Sequence, residues 1–286
     1  MKKIKIIGLV VLILLAAYTV YVYQSDRYVK ALITNDESTL FYRPDTEVGN
    51  MTNLEYSESI LKVEDSIIIH TYLFYPKTAP KANIFLIRGN SGNTSTYKDL
   101  IKPLVNNGFR VYSTDWRGYG KSTGKPSYKG IMKDTEEAFT DFLKHVKNDS
   151  IKTVVYGMSL GGQVAVKLTK DNPDKVDALV LDGSLASAHS FIEDNFQGLL
   201  MRNFIKDSTE YNQDYLAIRD ISDINNTPKL IIHSKEDRAV PFERGQSIFN
   251  LAKEPKTFWE TNTKHIQTLK DLPGETVEKL NSLLEQ

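Results

Sequence analysis

From Ala82 onward, short apolar runs bounded by turn residues alternate with stretches of helical character. That alternation restricts the fold more than any other feature of the chain. "ANIFLI" (Ala82–Ile87), "FRVYSTD" (Phe109–Asp115), "KTVVYG" (Lys152–Gly157), "ALVLDG" (Ala178–Gly183), "KLIIHS" (Lys229–Ser234) and "KTFWE" (Lys256–Glu260) read as strands. Residues 97–106, 131–146, 160–170, 242–252 and the closing "GETVEKLNSLLEQ" read as helices. Strands this apolar suit a parallel sheet covered on both faces. The sequence therefore predicts an α/β domain with a mostly parallel sheet. The stretch "SILKVEDSIIIHTYLFYP" (Ser59–Pro76) should add an antiparallel hairpin at one edge, turning near Glu64 and Asp65. The rhythm breaks between Leu185 and Asn226, where helical pieces occur without a convincing strand. An insertion there, at about 186–226, is expected to lie over the strand ends as a small helical lid, with "FQGLLMRNFI" lining an apolar entrance.

The N-terminus is the compositional outlier. Lys2, Lys3 and Lys5 precede an uncharged, mostly apolar run from Ile6 to Tyr23. As a helix that run would span about 27 Å, close to a bilayer core of about 30 Å. Tyr18, Tyr21 and Tyr23 cluster at its far end, where aromatic rings favour the membrane interface. The lysines should stay cytoplasmic, which puts the remainder of the chain on the other side as a single-pass protein. A cleaved signal peptide is the rival reading and would make the protein secreted, but no clean small-x-small site follows Ala16-Ala17. The expected organisation is a membrane anchor or signal segment at 1–25, a polar aperiodic spacer at 26–53, and the α/β domain at 54–286.

Composition removes several chemistries. There is no cysteine, so disulfides, thiolate catalysis and thiolate metal sites are excluded. Lys plus Arg and Asp plus Glu balance at 36 each, which gives no support for a nucleic-acid partner. The five histidines (His70, His145, His189, His233, His265) lack zinc-binding spacing. Neither a metal nor a cofactor is expected.

Within "VVYGMSLGGQVAVKL" (Val154–Leu168), a β-branched run hands over to a helical one through Gly157, Ser159, Gly161 and Gly162. Sites in open α/β sheets lie at the carboxyl ends of strands, and Ser159 falls there. In a nucleophile elbow the serine takes a strained conformation, and the residues two positions either side must be small. The strain lifts the hydroxyl above the sheet and aims helix N-terminal N–H groups at the same space. A glycine-rich turn with an incidental serine is the alternative.

At this point the chain resembles the α/β-hydrolase superfamily. "RGNSGN" (Arg88–Asn93) is similar to the H-G-N-x-x-N loop of its small-lid esterases and acylglycerol lipases. "DWRGYGKSTG" (Asp115–Gly124) resembles their D-x-R-G-x-G-x-S-x-G segment, "GMSLGG" their elbow, "HSKEDRAVP" (His233–Pro241) their acid loop, and "TKHI" (Thr263–Ile266) their late histidine. The likeness covers about Ser59 to the C-terminus and implies a Ser, acid, His order.

A serine hydroxyl needs a base within reach and an acid to orient it. His265, in a polar loop between the last strand and the last helix, is the best base. His70 sits in the hairpin, His145 in a helix and His233 at the end of an apolar strand, while His189 at the start of the lid is a poorer alternative. For the acid, Asp237 and Asp182 compete. The resemblance favours Asp237, and leaves Asp182 as a strand-end carboxylate bonding nearby backbone N–H groups. It also implies an oxyanion hole from the N–H groups of Leu160 and Asn90. Arg88 departs from the family's histidine. It either sets a positive charge beside the site, favouring an anionic substrate, or pairs with an acid such as Asp115, and we expect the ion pair. Arg117 should hold its loop. The expected function is a serine hydrolase cleaving carboxylic esters, lipid or acylglycerol esters included, through an acyl-enzyme. A thioesterase or aminopeptidase would use the same residues, and a catalytically silent binding scaffold would keep the fold alone.

Overall fold

The computed structural model describes residues 2–146, 151–198 and 201–286. The chain opens with helix α1 (Lys2–Ser25), whose stretch Ile6–Ser25 is long and apolar enough to cross a membrane and is not buried against the rest of the protein. Helices α2 (Arg27–Thr34) and α3 (Glu37–Phe41) and the short strand β1 (Arg43–Pro44) follow. Strands β2 (Tyr56–Glu64) and β3 (Ile67–Phe74) form the hairpin. Next come β4 (Ala82–Ile87), the short β5 (Ser91–Gly92), α4 (Lys98–Asn106), β6 (Phe109–Asp115), α5 (Tyr128–His145), β7 (Thr153–Met158), α6 (Leu160–Asp171) and β8 (Ala178–Asp182). The insertion carries α7 (Ala188–Asn195) and α8 (Ala217–Asp220). Strand β9 (Lys229–Ser234), α9 (Phe242–Leu251), β10 (Lys256–Thr261), α10 (Thr268–Asp271) and α11 (Pro273–Leu284) complete the chain.

Eight strands form one sheet in the order β10-β9-β8-β7-β4-β6-β3-β2. Strands β10 through β6 run parallel, and β3 joins β6 antiparallel. Every residue of β4, β7 and β8 is buried. The reason is alternation: Phe85 and Val155 point into one apolar cluster, Ile84 and Val154 into the other, and helices cover both faces. This is the α/β-hydrolase arrangement that the sequence resemblance implied. Helix α5 begins at Tyr128, ahead of the expected Ile131, because the Ser127 hydroxyl accepts the Gly130 N–H and caps the helix there.

Two expectations need correction. Residues 26–53 are not a spacer. Asp26 caps α2 by accepting from Tyr28 and Val29 N–H, and Asp36 caps α3 by accepting from Ser38 N–H. Ala31, Leu32, Leu40, Phe41 and Tyr42 are buried in the larger apolar cluster, and Val29 is buried as well. Nor do the described apolar residues of "FQGLLMRNFI" together form an apolar mouth: Phe196 is buried, Met201, Phe204 and Ile205 are half-buried against the same cluster, and Ile205 edges a cavity otherwise lined by polar residues such as His189, Glu193 and Arg244. Leu199 and Leu200 lie outside the described residues. The first helices and the insertion meet directly, with the rings of Tyr28 and Phe196 5.7 Å apart and the Asn35 side-chain amide donating to the Glu210 carbonyl at 2.7 Å.

A protein lacking residues 1–25 should therefore fold and stay soluble. One lacking 1–50 loses buried side chains and should aggregate on expression. In the shorter truncation, Phe41→Ala should lower the unfolding free energy by about 3–5 kcal/mol, read by urea denaturation. A change under about 1 kcal/mol would place the segment outside the cooperative core.

Candidate active site

The site grows from the turn between β7 and α6. Ser159 has φ 52° and ψ −121°, a conformation that L-residues rarely adopt. Its surroundings hold it there. The Ser159 N–H donates to the Asp182 carbonyl at 3.0 Å, and the Ser159 carbonyl accepts from Leu185 N–H at 3.1 Å. The helix can approach only because its neighbours have no side chain. A Cβ on Gly157 would sit 2.5 Å from the Ala165 Cβ, and one on Gly161 2.3 Å from the Ile87 and Arg88 carbonyl oxygens.

Two later loops converge on the serine. His265 Nε2 lies 2.9 Å from Ser159 Oγ, and His265 Nδ1 lies 2.6 Å from Asp237 Oδ2. The other oxygen of Asp237 accepts from Ala239 and Val240 N–H, each at 2.9 Å. Burial pushes the Asp237 carboxyl up, but the His265 hydrogen bond and charge and the two N–H donors outweigh it and hold the carboxyl below its ordinary value. Gly183, at φ 57°, makes room for the imidazole: a Cβ there would stand 3.1 Å from His265 Cε1 and Nδ1.

Asp182 is a second, fully buried carboxylate beneath this set. It accepts from the Tyr156 hydroxyl at 3.2 Å and the Thr268 hydroxyl at 3.4 Å, where backbone N–H groups had been expected. Burial raises it to about 7, against the opposing pull of His265. Neither Tyr156 nor Thr268 had been singled out in the sequence. One lies within a strand and the other at the start of a short helix, and no local pattern ties either to Asp182.

Asn90 follows Gly89, and a Cβ on Gly89 would lie 3.2 Å from the Ser159 Cβ, so the loop after β4 runs beside the serine. The Gly89 N–H donates to Tyr97 Oη at 3.1 Å. Among the described residues no acceptor engages the N–H of Asn90. Leu160 opens α6, where an N–H has no partner within the helix. Asn90 thus adjoins the glycine that lies against Ser159, and Leu160 follows Ser159 directly.

The remaining candidates have other partners. Arg88 is buried, donates to the Thr114 and Gly92 carbonyls, and has a guanidinium nitrogen 3.6 Å from Asp115. Arg117 makes a two-pronged contact with Asp134 and reaches Glu64 at 3.0 Å. His70 meets Glu58 at 2.6 Å, His145 lies 3.3 Å from Asp141 and His189 3.5 Å from Glu193. His233 is buried with Nε2 3.0 Å from the Val240 carbonyl oxygen, and burial lowers its pKa. A cleft of about 710 Å³ opens beside His265, lined in part by Asn195, Arg238, Ala239 and Lys264. Among the described residues no cluster of His, Asp or Glu could hold a metal ion.

The sequence model of a family described as serine aminopeptidase, S33, matches residues 78–207, which include Asn90, Ser159 and Leu160. Protein bem46 of Schizosaccharomyces pombe is 28% identical over 237 residues, 80% of this chain and 77% of the yeast protein. The lysophosphatidylserine lipase ABHD12 of Mus musculus is 28% identical over 211 residues, 67% of this chain but only 50% of the mouse protein. Among solved structures, the Pyrococcus furiosus esterase Pf2001 superposes with a TM-score of 0.68 at 19% identity, covering 85% of this chain and 98% of the esterase.

The raised carboxyl of Asp182 has a pH signature. An ordinary Asp titrates near about 4, so the stabilisation from a proton bound at about 7 in the folded protein is complete below the lower value and lost as pH rises through the higher one. The unfolding free energy of the wild type minus that of Asp182→Asn should fall between about pH 4 and pH 8, measured by urea unfolding across that range. A pH-independent difference would mean that folding leaves the titration of Asp182 unchanged.

Proposed function

The chain belongs to the α/β-hydrolase superfamily, and on that premise we propose that it is a serine hydrolase that cleaves carboxylic esters through an acyl-enzyme. The observation that carries the reading is the relay in which His265 stands 2.9 Å from the Ser159 hydroxyl and 2.6 Å from Asp237. In the productive tautomer Nδ1–H donates to Asp237 and Nε2 accepts from the serine. As Ser159 Oγ attacks the ester carbonyl, His265 takes its proton, and Asp237, kept ionised, stabilises the imidazolium. The N–H groups of Leu160 and Asn90 receive the developing oxyanion. His265 then protonates the departing alkoxide. A water activated by the same imidazole attacks the acyl-enzyme and releases the acid.

Amphiphilic esters suit this chain. The mouse relative is named a lipase of lysophosphatidylserine, and α1 would serve as an uncleaved anchor, holding the domain from about residue 26 onward at a bilayer on the non-cytoplasmic side. The S33 description raises an aminopeptidase as the second reading. The cleft beside His265 argues for the ester, because its exposed charged residues are Arg238, Lys264 and a single carboxylate, Glu236, a poor receiver for a protonated α-amine.

Ser159→Ala should abolish labelling by a fluorophosphonate probe and turnover of a short-chain nitrophenyl ester, with an unchanged circular dichroism spectrum. His265→Ala should be about as damaging, since the two groups act as a unit. Asp237→Asn should retain roughly ten times or more the residual rate of the serine variant. Asp182→Asn should stay within about tenfold of wild type, as expected of a carboxylate that braces its strand end. Folded Ser159→Ala with wild-type turnover would end the hydrolase reading. Loss in Asp182→Asn with retention in Asp237→Asn would move the acid.

A further inference from the structure

We propose that the segment between the N-terminal helix and the sheet, residues 37–49, is a positioning element of the hydrolytic site that holds Asn90 with its N–H facing the acyl oxygen of a substrate on Ser159. The inference rests on the serine-hydrolase reading above and assigns a role to a part of the chain that the reading leaves unused.

The contacts converge on one loop. The Asn90 side-chain amide donates to the Phe41 carbonyl at 2.7 Å, and the Arg43 N–H donates to the Asn90 carbonyl at 2.9 Å. Strand β1 pairs in parallel with β5, Arg43 beside Ser91 and Pro44 beside Gly92. Further along, the Asn93 side-chain amide donates to the Asp45 and Glu47 carbonyls, and Gly49 N–H donates to Ser95 Oγ at 2.7 Å. The segment is itself rigid. Phe41 and Tyr42 are buried, and the Arg43 guanidinium donates to the Thr39, Leu40 and Tyr42 carbonyls, tying β1 to the end of α3.

The loop needs such a brace. It carries Gly89 and Gly92, the latter at φ 74°, so it has little stiffness of its own. An oxyanion donor works only when preorganised within hydrogen-bond distance of the developing charge, and a displacement of about 1 Å costs roughly 100-fold in rate. The Gly89 N–H is engaged by Tyr97, so the bonds to Phe41 and Arg43, together with the Tyr119 hydroxyl that donates to the Asn90 carbonyl at 2.7 Å, act on the residue that carries the free donor.

The test uses the full-length protein in detergent micelles, with intact sites counted by fluorophosphonate titration. Asn90→Ala keeps the main-chain N–H and removes the bond to Phe41. Arg43→Ala frees β1 from α3. Each should lower kcat per titrated site on a nitrophenyl ester by about 10- to 100-fold while KM stays within about threefold. The double variant should fall short of the product of the two, since both release one loop. A purely structural role would lower the unfolding midpoint and the number of titratable sites but leave kcat per site unchanged. If Asn90→Ala does not fold, Arg43→Ala decides. Wild-type kcat per site in the folded variants overturns this proposal alone. Failure of the wild type to label at Ser159 overturns the hydrolase reading, and this proposal with it.

Discussion

The backbone of Ser159 is the constraint on which the rest of the site depends. A non-glycine residue at φ 52° and ψ −121° costs about 1–3 kcal/mol and persists only when its surroundings over-determine it. Those surroundings are the close approach of α6 to β7 and β4, possible because Gly157 and Gly161 present no Cβ to the opposing backbone. Strand β7 is central, with β4 on one side and β8 on the other. The loops after those two strands therefore reach the backbone of the turn. One brings Gly89 against the serine, and the other supplies the carbonyl and N–H that grip its peptide groups on both sides.

Two carboxylates lie near one imidazole, and their environments separate their charge states. Asp237 has two backbone N–H donors on one oxygen and His265 on the other, enough to keep it ionised despite burial. Among the described residues Asp182 has two hydroxyl donors, at longer range, and it is fully buried, so its neutral form persists up to about 7. A second fixed negative charge beneath the imidazole would compete with Asp237 for it. Below about pH 7 protonation of Asp182 relieves that competition, and the side chain still fills its place between Tyr156 and Thr268.

Much of this was legible in the sequence because the signals are local. Strands such as "ANIFLI" are buried on both faces and show it in composition, and the elbow shows itself in the spacing of its glycines. Two other features were not local. Helices α2 and α3 are eight and five residues long, too short for apolar periodicity to stand out, and Val29, Leu32, Leu40 and Phe41 are scattered among charges. The burial of Phe41 depends on Phe191, Tyr128 and Tyr211, far along the chain. The hydroxyl partners of Asp182 were hidden for the same reason. Tyr156 reads as another apolar strand residue, and Thr268 becomes a neighbour only through tertiary folding.

Arg88 shows how a departure from the expected motif can be absorbed. A buried guanidinium is costly unless paired and hydrogen-bonded. Here it has Asp115 at 3.6 Å, two carbonyl acceptors, and the rings of Tyr119 and Trp116 at 4.5 and 5.2 Å from its central carbon. Asp115 in turn accepts the Thr94 N–H at 2.6 Å and the Thr94 hydroxyl at 2.8 Å, pinning the far end of the same loop. Turning the arginine toward a substrate anion would strand Asp115, which is completely buried. Its charge is thus committed behind the loop, and it stiffens that end as Arg43 and Phe41 stiffen the middle. Arg238 and Lys264, by contrast, are exposed along the cleft that opens at His265, where their charges stay free to meet an anion.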